Sequence, residues 1–153
     1  MASNSTTLEE QFSGALHNTA RAWKLAVDRR LKYLGVSQAS WTAVAVLAKA
    51  DEPLSQIELA NRLGIEAATM VSTVDRLVKA ELAVREQAPH DRRVKLVVLT
   101  KAGNQMYDKV MIEADAVRKE LLGNVDKQQL SAAVKLLEHL QAVAEAVASD
   151  AKP

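Results

Sequence analysis

Cysteine is absent from the 153-residue chain, which excludes disulfides, thiolate metal sites and thiol redox sensing together. No apolar run approaches the roughly 20 residues of a membrane span. The opening MASNSTT lacks the charged-then-apolar pattern of a secretion signal, so a soluble cytoplasmic protein is expected. Catalytic signatures are missing as well. There is no G-x-S-x-G elbow and no phosphate-cradling glycine loop, and the three histidines, His17, His90 and His139, are scattered. Without cysteine or an H-x-x-x-H pair, a zinc site between His17 and His139 is disfavoured; no enzyme, metal or cofactor is expected. The chain also lacks repeats, linkers and an excess of either charge, with 20 Lys+Arg against 19 Asp+Glu.

What is present is a local concentration of charge. Residues 85–101 hold five basic side chains, Arg85, Arg92, Arg93, Lys95 and Lys101, against Glu86 and Asp91. From residue 102 onward six basic residues face eight acidic ones. A single basic patch on a balanced chain fits a surface that docks on phosphate better than a polybasic tail does.

Periodicity orders the rest. Leu8, Phe12, Leu16, Trp23, Val27, Leu31 and Leu34 form one stripe of a long helix over 8–34, ended by Gly35. Ser37 caps a second helix carrying Trp41, Val44, Val46 and Leu47. Ser55 and Glu58 have the spacing of a capping box, and the short helix they start stops at Gly64. The next helix lies in AATMVSTVDRLVKAEL. Its spacing turns Met70, Val71, Val74, Leu77 and Val78 inward, and Ala68, Thr69, Ser72, Thr73, Asp75, Arg76 and Lys79 outward. Two short helices around a glycine turn read as a helix-turn-helix.

Residues 83–87 and 94–99 read as two strands joined by the loop from Ala88 to Arg93. Thr100 caps a helix with Met106, Val110, Val117 and Leu121 on its stripe, broken at Gly123-Asn124. Asp126 and Gln129 start a last helix with Leu130, Val134, Leu137, Leu140, Ala144 and Val147. The predicted fold is therefore mainly α with a small antiparallel β wing. It is one domain over 1–153, with a winged helix-turn-helix lobe over 37–100 between long terminal helices, 8–34 and 101–148. Those terminal stripes carry more apolar surface than a small lobe covers, so they predict dimerisation helices and a homodimer.

The stretches LSQIELANRLGIEAATMVSTVDRLVKAELAVRE, DRRVKLVVLT followed by KAG, and DRRLK at 28–32 resemble the MarR family of bacterial transcription regulators, in particular its SlyA-like branch. The resemblance covers about residues 8–148. It implies a ligand-responsive repressor that binds a pseudo-palindromic operator as a homodimer, with the helix from about Glu66 to Ala80 in the major groove and each wing in a flanking minor groove. The chemistry of the residues agrees. Ala67, Ala68 and Thr69 permit close approach to base edges, Ser72 and Thr73 can hydrogen-bond, and Arg76 reaches phosphate or guanine. Phosphate positioning is expected from the amides of Ser55 and Gln56, with Lys95 and Arg62 adding charge. The family pattern implies that Arg92 enters the minor groove while Arg93 pairs with Asp75, Asp91 orienting the arginines.

Many members of that family release DNA when a small aromatic acid binds between the dimer helices and the DNA-binding lobe. The matching positions here are His17, Arg21 and Trp23, Trp41 and Ala45, and Met70 and Ser72. A cation would hold the carboxylate and a tryptophan would stack on the ring. SlyA-like relatives can carry an arginine at Ser72 and a histidine at Ala45, so one anionic anchor is lacking. Two alternatives stay open: a winged-helix adaptor that binds protein rather than DNA, and a metal-responsive regulator without aromatic-ligand control.

Overall fold

Caps set most of the helix boundaries. In a computed structural model that describes residues 6–150, helix α1 (Leu8–Leu31) starts at Thr7, which forms a reciprocal capping box with Glu10. One further 3₁₀ turn, Lys32–Leu34, ends at Gly35 with φ 70°, so the 8–34 stripe is one continuous element in two geometries. Helix α2 (Gln38–Lys49) is capped by Ser37, whose hydroxyl accepts from the Ser40 amide at 3.2 Å. Then follow strand β1 (Leu54–Ser55), α3 (Gln56–Leu63) and α4 (Ala67–Lys79). Strands β2 (Ala83–Gln87) and β3 (Lys95–Leu99) precede the long helices α5 (Lys101–Leu122) and α6 (Lys127–Asp150). Each such cap is worth about 1 kcal/mol. Gly64 closes α3 at φ 63°, a left-handed turn that glycine adopts without the Cβ penalty.

The sheet has three strands, not two. Its order is β1-β3-β2, all antiparallel, with Leu54 and Arg85 flanking Val97 on either side. Strand β1 escapes a reading by periodicity because it is two residues long and its second residue, Ser55, is also the N-cap of α3. Val94, expected inside the second strand, instead closes the loop: its amide donates to Asp91 and its carbonyl accepts from Ala88, each at 3.0 Å.

Two apolar clusters form. One joins Ala43 and Val44 of α2, Leu59 of α3, Met70, Val74 and Leu77 of α4, and Leu54, Leu82 and Val97 around the sheet. The other joins Val27 and Leu31 of α1 to Val110 and Val117 of α5, with Trp23 and Trp41 packed against it. Met106 packs on both. The inward face of α4 is rotated from the one predicted. Thr73 is fully buried and Val71 is 42% exposed, because Met70, Thr73, Val74 and Leu77 lie on one side at helical spacing. Thr73 is tolerated there since its hydroxyl donates to the Thr69 carbonyl at 2.9 Å.

The L-T-K-A-G stretch has a packing reason. Thr100 donates through its hydroxyl to the Glu81 carbonyl at 2.7 Å and through its amide to the Leu82 carbonyl at 3.0 Å. The same hydroxyl accepts from the Gly103 amide at 3.0 Å, capping α5. A Cβ at Gly103 would fall on the Leu82 carbonyl oxygen, so α5 begins closer to the α4–β2 turn than any other residue allows. That turn holds Glu81 at φ 59°, a left-handed conformation uncommon outside glycine.

The chain divides into two compact units, the first ending at Val117 and the second starting at Arg118. In the second, α6 has no buried residue among those described, and Val134, Leu136, Leu137, Val143 and Val147 are exposed. In the first, Leu8, Phe12 and Leu16 of α1 are likewise exposed, Leu8 by 76%. Among the described residues, no helix is long and apolar enough to cross a membrane.

Candidate nucleic-acid interface

The outward side of α4 is narrow and small. Ala67, Ala68, Thr69 and Ser72 are all exposed there, with Asp75, Arg76 and Lys79 continuing the face toward the C-terminus. Ser72 donates to the Ala68 carbonyl at 3.4 Å, a weak bond that a base edge could replace. Arg76 lies back along its own helix, with Nε donating to the Ser72 carbonyl at 3.3 Å and Nη2 to the Thr73 hydroxyl at 3.5 Å. Thr73 has no surface to offer DNA, so its assignment as a base-reading residue is corrected. Its hydroxyl serves Arg76 from below.

At the start of α3 the expected pair of outward amides is also reduced. The Ser55 amide donates to Glu58 Oε2 at 2.8 Å while the Glu58 amide donates to the Ser55 hydroxyl at 3.2 Å. The box that starts the helix therefore consumes the Ser55 amide, leaving Gln56 as the first residue whose amide has no intrahelical acceptor. The carboxyl of Glu58 is held below the usual carboxylate range, first by the Ser55 backbone bond, then by the Ser55 side chain and, less, by Arg62.

The wing tip is a tight turn. Val94's amide donates to the Asp91 carbonyl, which places Arg92 and Arg93 at the two central positions. Asp91 Oδ1 accepts from the Arg93 amide at 2.9 Å and from Arg93 Nε at 3.3 Å. Asp91 thus shapes the turn, as an Asx residue does, and presents the arginines without needing to touch DNA. Arg92 and Arg93 are both exposed, the Arg93 side chain by 91%. Lys95 is exposed on β3, beside Gln87 of β2.

The predicted bridge between Arg93 and Asp75 is not made. Asp75 pairs instead with Arg85 of β2, whose Nη2 lies 2.5 Å from Asp75 Oδ1. The same guanidinium donates through Nε to Gln56 Oε1 at 2.6 Å. Arg93 is bound to its own turn, while Arg85 leaves the sheet beside α4 and reaches both helices. One arginine therefore clasps the start of α3, the outward face of α4 and the wing strand. Sequence reasoning places Arg85 only within the charge patch and misses this role. The signal that could have found it is strand alternation: Arg85 is two residues from buried Ala83, so it shares the inward face and needs a carboxylate there.

The predicted ligand residues do not converge on one place. His17 and Arg21 line an open groove of about 510 Å³ with Lys24, Leu25, Asp28 and Gln38. His17 Nδ1 lies 2.7 Å from the Ser13 carbonyl, which makes that nitrogen the protonated one. Trp23 and Trp41 pack on the α1–α5 cluster, and Trp41 Nε1 donates to Asp28, a groove residue, at 3.4 Å. Ala45 is half-buried in α2. Met70 is fully buried in the lobe core and Ser72 is on the outer face of α4, so neither lines the groove. The cause is again the phase of α4, which sends 70 and 72 to opposite sides. Glu113 of α5 accepts from Tyr33 at 2.9 Å and lies 3.7 Å from Arg30, fastening the end of α1 to α5. The bond to Glu113 raises the Tyr33 pKa above the ordinary phenol value. Among the described residues no three acidic, histidine or cysteine side chains converge as a metal would require.

Comparison with known proteins agrees with this geometry. A family model described as the MarR family matches residues 34–94, which span α2 through the wing tip. The transcriptional regulator PA3341 is 33% identical, with a TM-score of 0.81 over 88% of this chain and 98% of that one. CouR from Rhodococcus jostii RHA1, solved bound to p-coumaroyl-CoA, is 26% identical, with a TM-score of 0.75 over 92% of this chain and 96% of its own. Staphylococcus aureus MarR, solved with salicylate and kanamycin, is 20% identical over 89% of this chain and 91% of its own, and its TM-score of 0.79 reports a shared fold.

Proposed function

The chain belongs to the MarR family of transcriptional regulators, and from that premise we propose that it is a non-enzymatic, sequence-specific repressor, acting as a homodimer on a pseudo-palindromic operator. The observation that carries the reading is the exposed small-residue face of α4, Ala68 and Ser72 with their neighbours, held by Arg85 beside a hairpin tipped with Arg92 and Arg93. Small side chains admit a helix to the major groove, and an arginine on a turn is suited to the narrow minor groove beside it. The apolar faces of α1 and α6 supply the surface for a second copy, and symmetry then repeats the reading head on the adjoining half-site. Selection of bound duplexes from a random pool by the purified protein tests this. Recovery of two inverted half-sites about 10 bp apart is the expected result; recovery of no common sequence overturns it.

The proposed effector is a small aromatic carboxylate seated in the groove of His17, Arg21 and Lys24, near the two tryptophans. The groove's cations suit an anion, and the salicylate bound to S. aureus MarR is an aromatic carboxylate, while the p-coumaroyl-CoA bound to CouR carries an aromatic acyl group as a thioester. Titration of salicylate at millimolar concentration should quench the fluorescence of Trp23 or Trp41 and release the selected duplex. A panel of aromatic acids that changes neither signal overturns this part alone.

A further inference from the structure

We infer that the groove on α1 is bipolar, and that Asp28 is a specificity residue selecting an effector whose far end, opposite its carboxylate, carries a hydroxyl that donates a hydrogen bond. The inference rests on the effector reading above and narrows its chemical class. His17, Arg21, Lys24 and Asp28 all line the groove, and they recur at helical spacing, so they share one face of α1. Three nitrogen-bearing side chains come first and the carboxylate last. At a rise of about 1.5 Å per residue, Asp28 lies about 6 Å along the axis from Lys24 and about 10 Å from Arg21.

The Asp28 carboxylate is not spent on a neighbouring cation. A lysine four residues before an aspartate is placed for an ion pair, yet among the described residues Asp28 forms none. Its hydrogen bond comes from Trp41 instead. Oδ1 accepts from Trp41 Nε1 at 3.4 Å, a long bond from a donor that packing against the α1–α5 cluster holds still. Oδ2 has no partner among the described residues. An anion with only apolar surface at its far end would satisfy the cations and then meet this carboxylate. A hydroxyl there removes the conflict, because it donates to Oδ2 while the effector's own carboxylate stays with Arg21 or Lys24. One ring with its two polar groups para to each other suits that separation. An ortho pair puts both groups at the same end.

Calorimetric titration of the whole protein with 4-hydroxybenzoate, 4-methoxybenzoate and salicylate tests this, and it does not depend on the tryptophan signal that Asp28 touches. 4-Hydroxybenzoate should bind at least about tenfold more tightly than either of the others, since methylation removes the donor and the ortho position withdraws it from Asp28. In Asp28→Asn the amide oxygen still accepts from Trp41 and an NH₂ group replaces Oδ2. The preference over 4-methoxybenzoate should then fall to within about twofold, because that group donates and cannot accept the hydroxyl proton. Equal affinities for the three acids in the wild-type protein overturn the inference and leave the effector reading standing; this comparison needs no variant to fold. A preference that persists undiminished in Asp28→Asn overturns the role of Asp28. If none of the three acids binds, the effector reading falls and this inference falls with it.

Discussion

The lobe built from α2, α3, α4 and the sheet hides most of its large apolar residues within one chain, Ile57, Val71 and Val84 excepted, whereas α6 and the first half of α1 do not. Leu59, Met70, Val74 and Leu77 have essentially no exposed surface, yet Leu8 is 76% exposed and Val147 64% exposed. Both regions have similar stripes in the sequence. The difference teaches that periodicity shows which face of a helix is apolar, and that coverage must come from something the local sequence does not contain. For the lobe the cover is the rest of the lobe; for α1 and α6 we assign it to a second copy of the chain.

The sharpest way to break that contrast is a charge on the exposed stripe. Leu137→Asp lies at a position 43% exposed in the single chain, where a surface substitution ordinarily costs no more than about 0.5 kcal/mol. If the stripe is a dimer face, the substitution buries two unpartnered carboxylates per assembly, and sedimentation at micromolar concentration should show loss of the dimer. A variant that sediments as wild type would return α6 to being a solvent-facing helix. Inside the lobe, Leu77→Ala should lower unfolding stability by about 2–5 kcal/mol in urea titration, since a fully packed leucine leaves a cavity. A decrease below about 1 kcal/mol would mean the lobe is no better covered than the terminal helices.

Smaller effects sharpen the division of labour within the hairpin. Arg92→Ala should weaken operator binding by roughly 1–3 kcal/mol per wing and flatten the salt dependence by about 0.9 for each phosphate it no longer neutralises, with the fold intact. Unchanged affinity and slope would reduce the wing to a charged turn. Smallest is a pH effect. Glu58's folded pKa lies below its unfolded one, so its stabilisation is full above the unfolded value and is lost as pH falls through the depressed one. Between about pH 5 and pH 3, Ser55→Ala, which removes the cap hydroxyl, should therefore lose less stability on acidification than wild type. Parallel losses in urea titrations at the two pH values would show that the Ser55 hydroxyl contributes nothing through Glu58, whose larger bond to the Ser55 amide the variant keeps.

Local chemistry was sufficient for most of the architecture. Caps at Ser37, Ser55, Thr100 and Asp126 and the stops at Gly35 and Gly64 appear where the residue types demand, because a cap acts over three or four residues and needs no distant partner. The hairpin, its basic tip and the order of elements follow in the same way. What only the tertiary structure decided are relations between segments far apart in sequence. Strand β1 exists because Leu54 meets Val97, more than forty positions away. The phase of α4, which buries Thr73 and exposes Val71, depends on how α2 and the sheet approach it. Asp75 finds Arg85 rather than Arg93, since the wing turn occupies Arg93 with Asp91 while β2 delivers Arg85 to both helices. Charge and spacing in the chain set which residues could pair; the packing of α3, α4 and β2 against one another decided which of them did.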